Sequence, residues 1–365
     1  MIMKNLTKEL KNEKVKNLLK KLRNQNELTR EEYLYILENI DVSAFEYLKQ
    51  LSRKVTDEVY GKAVYLRGLI EISNYCNRSC NYCGIRKENT DVNRYRLSKE
   101  EILNSCEIGY KLGYKTFVMQ GGEDSYYTKE VLSDIISEIR KKFPDVAITL
   151  SIGERSYEDY LSFFNAGANR FLLRHEAYSK NLYNHLHPSS MSYEDRIECL
   201  NNLKEIGYQT GLGMMIGSPT QTNKDLVEDL IFIQEFKPAM CGIGPYINHK
   251  NTPFKNEETG NVDHTLVMVA LARLIVPSCL IPATTALATI DKNKRLDALK
   301  LGANVVMPNL SPHSARKSYE IYQGKKFLGC EAAEEKDAII KEIEDIGLEV
   351  VLVRGDTKME GYECL

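Results

Sequence analysis

The sequence predicts an α/β fold: a complete (βα)8 TIM-type barrel of parallel strands, with a helical N-terminal extension and a short C-terminal extension. Three observations predict it. After residue 60, short apolar runs alternate with longer amphipathic stretches, the pattern of βα units in a parallel sheet. Eight such runs follow in series, which favours a closed barrel over an open doubly wound sheet. At 365 residues the chain can form one large barrel whose core needs no disulfide or metal staple.

Residues 1–60 read as helical. The segment 1–23 is rich in lysine and spaces Leu6, Leu10, Val15, Leu18, Leu19 and Leu22 amphipathically, without the unbroken apolar stretch of a signal peptide. Leu28-Thr29-Arg30-Glu31-Glu32 then leads into Tyr33, Ile36 and Leu37, an amphipathic helix with Thr29 as its N-cap. Strands are expected over 66–72, 116–119, 147–150, 170–173, 209–216, 240–244, 280–283 and 304–307. Helices are expected over 99–112, 129–142, 193–206, 223–236 and 265–275. Small turns such as Leu112-Gly113, Ala166-Gly167-Ala168, Ile206-Gly207 and Leu301-Gly302-Ala303 precede strands, where a glycine ends a helix and hands the chain on. Beyond the barrel, 332–346 has a helical pattern and 348–353 is an apolar run. No low-complexity linker separates a second domain, so the expected division is 1–60, 61–325 and 326–365.

Composition narrows the function. A formal net charge of −2 offers no broad positive field for nucleic acid or an anionic membrane, so neither is expected as a partner. No stretch approaches the roughly 18 consecutive apolar residues of a transmembrane helix. Nine cysteines is an odd number in a long chain, which fits a reducing cytoplasm better than a secreted disulfide framework.

Three of those cysteines fall within eight residues, Cys76-Asn77-Arg78-Ser79-Cys80-Asn81-Tyr82-Cys83, directly after the first barrel strand. Loops at the C-terminal ends of barrel strands carry active sites. Three thiolates spaced C-x3-C-x2-C can wrap three corners of an iron–sulfur cube, leaving one iron open to chelate a small molecule. Structural zinc normally takes four ligands in pairs. A four-cysteine electron carrier would need its last ligand from afar, since the next cysteine, Cys106, falls inside an expected helix.

At these residues the chain resembles the radical S-adenosylmethionine (SAM) superfamily, whose motif is C-x3-C-x2-C with an aromatic, here Tyr82, before the last cysteine. The resemblance implies a [4Fe–4S] cluster on Cys76, Cys80 and Cys83, with SAM chelated on the open iron and cleaved by electron transfer to a 5′-deoxyadenosyl radical. It assigns Gly121-Gly122-Glu123, after the second strand, to the SAM amino group. Two glycines there let the backbone approach a ligand closely, and Glu123 is an acceptor. Leu173-Arg174-His175-Glu176 places opposite charges at the end of the fourth strand, where burial is costly unless the charges are paired or liganded. Glu176 can accept from ribose, and Arg174 or Arg196 can neutralise the SAM carboxylate. The alternative for these residues is a structural salt bridge.

Over roughly 60–325 the chain is similar to the HydE family of [FeFe]-hydrogenase maturases. The stretches that carry the likeness are Cys83-Gly84-Ile85-Arg86, Arg94-Tyr95-Arg96, Gly122-Glu123-Asp124-Ser125-Tyr126-Tyr127, Leu172-Leu173-Arg174-His175-Glu176, Gly242-Ile243-Gly244-Pro245, Ile281-Pro282-Ala283-Thr284-Thr285 and Gly302–Asn309. This implies a role in assembling the hydrogenase di-iron centre, on a small organometallic or amino-acid-derived substrate such as a cysteine-bound Fe–CO–CN precursor. It further implies a donor such as ferredoxin or flavodoxin and transient contact with other maturases. On that reading Ser151, Arg174, Glu176 and Arg196 contact SAM, while Arg67, Thr149, Thr284, Thr285, Met307 and Tyr322 face the precursor. Some members carry a second cluster on three cysteines after the barrel. Here 327–334 holds only Cys330, so no second cluster is expected. The alternatives are a methylornithine synthase on the same scaffold, more distantly a biotin synthase, and an iron–sulfur scaffold that binds precursors without turnover.

Overall fold

The computed structural model describes residues 2–325 and 332–362. Three helices come first: α1 (Ile2–Gln25), α2 (Arg30–Asn39) and α3 (Val42–Tyr60). Thr29 caps α2 in a capping box with Glu32, each side chain satisfying the other's backbone N–H. The amphipathic leucines behave as their spacing requires: Val15, Leu19 and Leu22 are fully buried with Tyr33 and Ile36 of α2 and Leu48 of α3.

The barrel follows as β1 (Ala63–Leu66), β2 (Gly68–Ser73), α4 (Lys99–Lys111), β3 (Thr116–Gly121), α5 (Lys129–Lys142), β4 (Ala147–Ser151), α6 (Tyr157–Asn165) and β5 (Arg170–Leu172). It continues with α7 (Lys180–Leu186), α8 (Tyr193–Ile206), β6 (Gln209–Ile216), α9 (Asn223–Phe236), β7 (Met240–Pro245) and α10 (Val262–Ile275). It ends with α11 (Thr285–Ile290), α12 (Lys292–Leu301), β8 (Val305–Val306), α13 (His313–Arg316), α14 (Ala332–Glu344) and β9 (Glu349–Val351). The N-terminal helices lie against the barrel's outer helices: Tyr33 Oη donates to Gln234 Oε1 on α9 at 2.8 Å, and Asn26 Nδ2 donates to Leu274 O on α10 at 2.6 Å. One apolar core runs through both parts.

Strands β2 to β7 form one parallel sheet in sequence order. Isolated parallel bridges Met240–Leu280, Pro282–Val305 and Leu69–Asn309 carry the pairing from β7 through residues 280–282 to β8 and back to β2. The expected first strand is divided at Arg67. Its first part pairs with β8 and β9, and its second with β3. The expected seventh strand, 280–283, makes only these bridges, because Pro282 has no N–H to give a ladder. The apolar run 348–353 supplies β9 on the open edge of β1.

The strands' first residues converge on the chain's last described segment. Arg170, fully buried at the start of β5, pairs with Asp356 at 2.6 Å and bonds Gln209 Oε1 at 3.1 Å and Thr116 Oγ1 at 3.2 Å. Burial alone would raise Asp356, but the Arg170 and Arg354 guanidinium groups hold its carboxyl well below the usual range. The floor of the barrel is thereby closed by residues 354–357. Its other end holds the cysteine loop.

Candidate active site

The loop after β2 is fixed by local polar bonds rather than by strands. Arg94 threads through it, donating to the carbonyls of Ile85 (2.8 Å), Arg86 (2.7 Å) and Asn89 (3.0 Å). Asn74 Nδ2 bonds Asn93 O at 2.9 Å and Ser318 O at 2.7 Å, tying the loop to the chain that follows β8. Held this way, Cys76, Cys80 and Cys83 are half-buried free thiols lining a cavity of about 310 Å³ at the C-terminal ends of the strands. Burial, then the neighbouring sulfur of Cys76, pushes the Cys80 thiol up to about 12. Cys83 is pushed up as well by burial and by both other sulfurs. Raised this way, the thiols stay protonated near neutral pH, and a bound metal would favour their thiolate forms. Three free thiols from one loop, lining one cavity, are the donor set that three corners of an iron–sulfur cube require.

Two glycines let the neighbouring loops close on this one. A Cβ on Gly122 would stand 2.2 Å from Tyr75 O and 2.7 Å from Cys76 Cβ. A Cβ on Gly153, where φ is +78°, would meet Glu123 Cγ at 2.1 Å.

Charges knit the upper wall. Arg78 pairs with Glu123 and, at 2.9 Å, with Glu154; Glu154 also pairs with Arg196 at 2.5 Å. Glu154 N–H donates to Glu123 Oε1 at 3.1 Å. Beyond them Arg174 stands 3.0 Å from Glu176 Oε2 without hydrogen-bond alignment, while donating to Met214 O at 2.7 Å. Glu176 sits at φ +64°, a left-handed conformation costing about 1–2 kcal/mol for a residue with a Cβ. Such strain, at a buried carboxylate that lines the cavity, persists only where the surrounding structure over-determines it. Arg174 Nε and Thr284 Oγ1 are buried with no partner among the described residues, which leaves unspent hydrogen-bonding capacity in the walls.

The cavity brings together Cys76, Cys80, Cys83, Tyr82, Gly121, Gly122, Glu123, Ser151, Arg174, Glu176 and Arg196 with Thr284, Thr285, Met307 and Tyr322. Arg67 and Thr149 do not line it. Arg67 is buried toward the floor, donating to Gly355 O at 3.2 Å and Met240 Sδ at 3.1 Å. Thr149 lies two residues before Ser151 on β4, hence on the same face but deeper, and is buried. Cys330, on which the expected lack of a second cluster rests, lies outside the described residues.

Sequence reasoning missed two elements of the wall. Glu71, fully buried in β2, pairs with Lys325 and accepts from Asn309 Nδ2 at 2.9 Å. A glutamate inside the apolar run Leu69-Ile70-Glu71-Ile72 was the available signal; Lys325 had none. Behind Tyr82 stands His187, pushed down to about 3 by burial and then by Arg196. Its Nδ1 faces Tyr183 O at 2.8 Å, and a carbonyl only accepts, so Nδ1 carries the proton and Nε2 accepts from Tyr82 Oη at 3.2 Å.

A family model for the Radical SAM superfamily matches residues 70–233. Among curated proteins, the [FeFe] hydrogenase maturase subunit HydE of Thermotoga maritima is 44% identical over 310 residues, covering 85% of this chain and 88% of that protein. The 3-methylornithine synthase of Methanosarcina acetivorans is 29% identical, over 83% of this chain and 85% of that one. Two solved structures share the fold. The crystal structure of methylornithine synthase has a TM-score of 0.78 at 23% identity, covering 92% of this chain and 97% of its own. That of HydG, a maturase of the [FeFe]-hydrogenase, has 0.77 at 19% identity, covering 93% and 76%.

Proposed function

Because the chain belongs to the radical SAM superfamily and, within it, to the HydE family of hydrogenase maturases, we propose that it acts on a cysteine-bound Fe–CO–CN precursor of the [FeFe]-hydrogenase di-iron centre. It is a radical SAM enzyme of hydrogenase maturation. The observation that carries the site assignment is the set of three free thiols on one loop, facing one cavity that no fourth cysteine lines among the described residues.

Cys76, Cys80 and Cys83 would hold the cluster, which when bound would supply the electron for cleavage of the SAM carbon–sulfur bond. The protein's own part is binding and exclusion of water. Glu123 offers its carboxylate to the SAM ammonium, and Arg174 turns its unpartnered Nε to the SAM carboxylate. Arg196 keeps Glu154 neutralised beside them. Ser151 and Glu176 accept from the ribose, and Tyr82, braced by His187, packs its ring beside the ligand. Lower in the cavity Thr284, Thr285, Met307 and Tyr322 face the precursor, with Leu172, Leu173 and Met215 keeping water out. Arg67 and Thr149 support that region from beneath.

The same reading treats 61–325 as the catalytic barrel and 1–60 and 326–365 as extensions of it. It places the protein in the cytoplasm, where seven described cysteines stay free and a ferredoxin or flavodoxin supplies electrons. No helix among the described residues is long and apolar enough to cross a membrane.

The test is anaerobic reconstitution with iron and sulfide, then dithionite and SAM. Release of 5′-deoxyadenosine or an adenosylated product is expected, and Cys80→Ala should abolish it. Cleavage that persists in Cys80→Ala rejects the ligand assignment. Conversion of added lysine to methylornithine would overturn the maturation reading in favour of the mutase.

A further inference from the structure

A carboxylate has no packing reason to be where Asp229 is. The helix α9 presents Leu226, Leu230, Ile233 and Phe236 to the core, and Asp229 lies among them fully buried. An apolar residue of similar volume would fill the place without desolvating a charge. Its ring partner, His175, is also fully buried, and the pair is incompletely satisfied: Asp229 Oδ2 and His175 Nδ1 have no hydrogen-bond partner among the described residues. Such a network is a poor choice for stability alone.

What it does hold is the chain around Glu176. Asp229 Oδ1 faces His175 Nε2 at 3.0 Å and accepts the backbone N–H of Tyr178 at 2.8 Å. One oxygen therefore pins residues 175 and 178, the two ends of a tetrapeptide whose second residue is the left-handed Glu176. From the other side β6 grips the same residue, Glu176 N–H donating to Gly213 O at 3.0 Å and Met215 N–H to Glu176 O at 3.1 Å. Ala177 N–H closes the turn on His175 O at 2.8 Å. The rings pack to match: His175 stands edge-on to Phe232 at 5.1 Å, and Tyr178 stacks on Phe232 at 4.1 Å with 6° between planes. Arg174 and Glu176 face the cavity while His175 between them faces the helix layer.

We propose that Asp229, acting through His175 and the Tyr178 amide, is a positioning residue that keeps Glu176 in its strained conformation and its carboxylate aimed at SAM. This rests on the reading that Glu176 contacts SAM. Left-handed backbone at a residue with a Cβ persists only where its surroundings over-determine it, and Asp229 supplies the constraint from the helix side. Without it the 175–178 turn relaxes, and the carboxylate leaves the wall although every cluster ligand stays in place.

The experiment is SAM affinity, by anaerobic equilibrium dialysis on reconstituted protein of measured iron content, across a four-member cycle: wild type, Glu176→Ala, Asp229→Ala and the double variant. Glu176→Ala alone should weaken SAM about tenfold, the loss of one charge-assisted bond. Asp229→Ala should weaken it by a similar factor in the wild type and by less than twofold in the Glu176→Ala background, since the residue it serves is gone. Asp229→Asn, which keeps one acceptor oxygen, should retain affinity within about twofold. Should Asp229→Ala not fold, His175→Leu, which leaves the Tyr178 amide bonded, carries the same comparison. An unchanged affinity in Glu176→Ala overturns the reading of Glu176 itself. Weakening by Asp229→Ala that is equal in both backgrounds, or a lowered melting temperature with unchanged SAM affinity, overturns the positioning role and leaves the Glu176 reading standing.

Discussion

Adjacent glycines in the Gly121-Gly122 turn make opposite demands, and replacing each by alanine separates them. At Gly122 the new Cβ would lie 2.2 Å from Tyr75 O and 2.7 Å from Cys76 Cβ, where real Cβ atoms essentially never come within 3.0 Å. Both obstacles belong to the cysteine loop, and one is backbone, so the loop must retreat by most of an ångström. Overpacking of that kind costs about 1–3 kcal/mol. Set against the seated loop, this is a factor of about 5 to 150 in the equilibrium that presents Cys76 to the cluster. At Gly121 the nearest atoms are Ile72 Cγ1 and Ser73 O, both at 3.3 Å, and the contact yields with a shift of a few tenths of an ångström. The assay is iron and sulfide bound per chain after anaerobic reconstitution, with the melting temperature of the unreconstituted protein as control. Gly122→Ala should lose most of its cluster while melting close to wild type, because the obstacle is a loop at the barrel's mouth. Gly121→Ala should keep nearly all of it. Equal losses at the two positions would refute the argument from loop contact.

Two further outcomes follow from the charges. Arg196→Leu leaves Glu154, about nine-tenths buried, with Arg78 alone, and breaking a buried pair costs about 3–5 kcal/mol at most; the melting temperature should fall, and Glu154→Gln added to it should recover part of the loss. A double variant no more stable than Arg196→Leu would show that the pair carries no buried charge. Asp356 has a folded pKa held below its ordinary 3.8, so its stabilisation is present at neutral pH and is lost as pH falls below that value through the folded one. Melting curves of wild type and Asp356→Asn should therefore differ most near neutrality and converge in acid, and a difference that grows as pH falls would refute the Arg170 pairing as its source.

Much of this protein was legible because its signals are local. Thr29 with Glu32 writes a capping box across three residues, and Cys76, Cys80 and Cys83 share one loop, so the spacing alone gathers them. Alternating apolar periods set eight βα units in order, since a half-buried strand and an amphipathic helix each leave a repeat in the chain. Where a single residue broke the pattern, the ends were misjudged: Arg67 divides the first strand between two partners, and Pro282 denies the seventh its ladder.

What only the tertiary structure decided is which distant charges meet. Arg170 finds Asp356 across 186 positions, Lys325 finds Glu71 across 254, and Arg196 finds Glu154 across 42. No periodicity links such residues, because a buried ion pair is chosen by the geometry of closure and its cost falls due only after the strands are wound. The same holds for Glu176. Its carboxylate stands in the sequence for anyone to read, but its left-handed backbone exists only because β6 and α9 grip the chain from both sides.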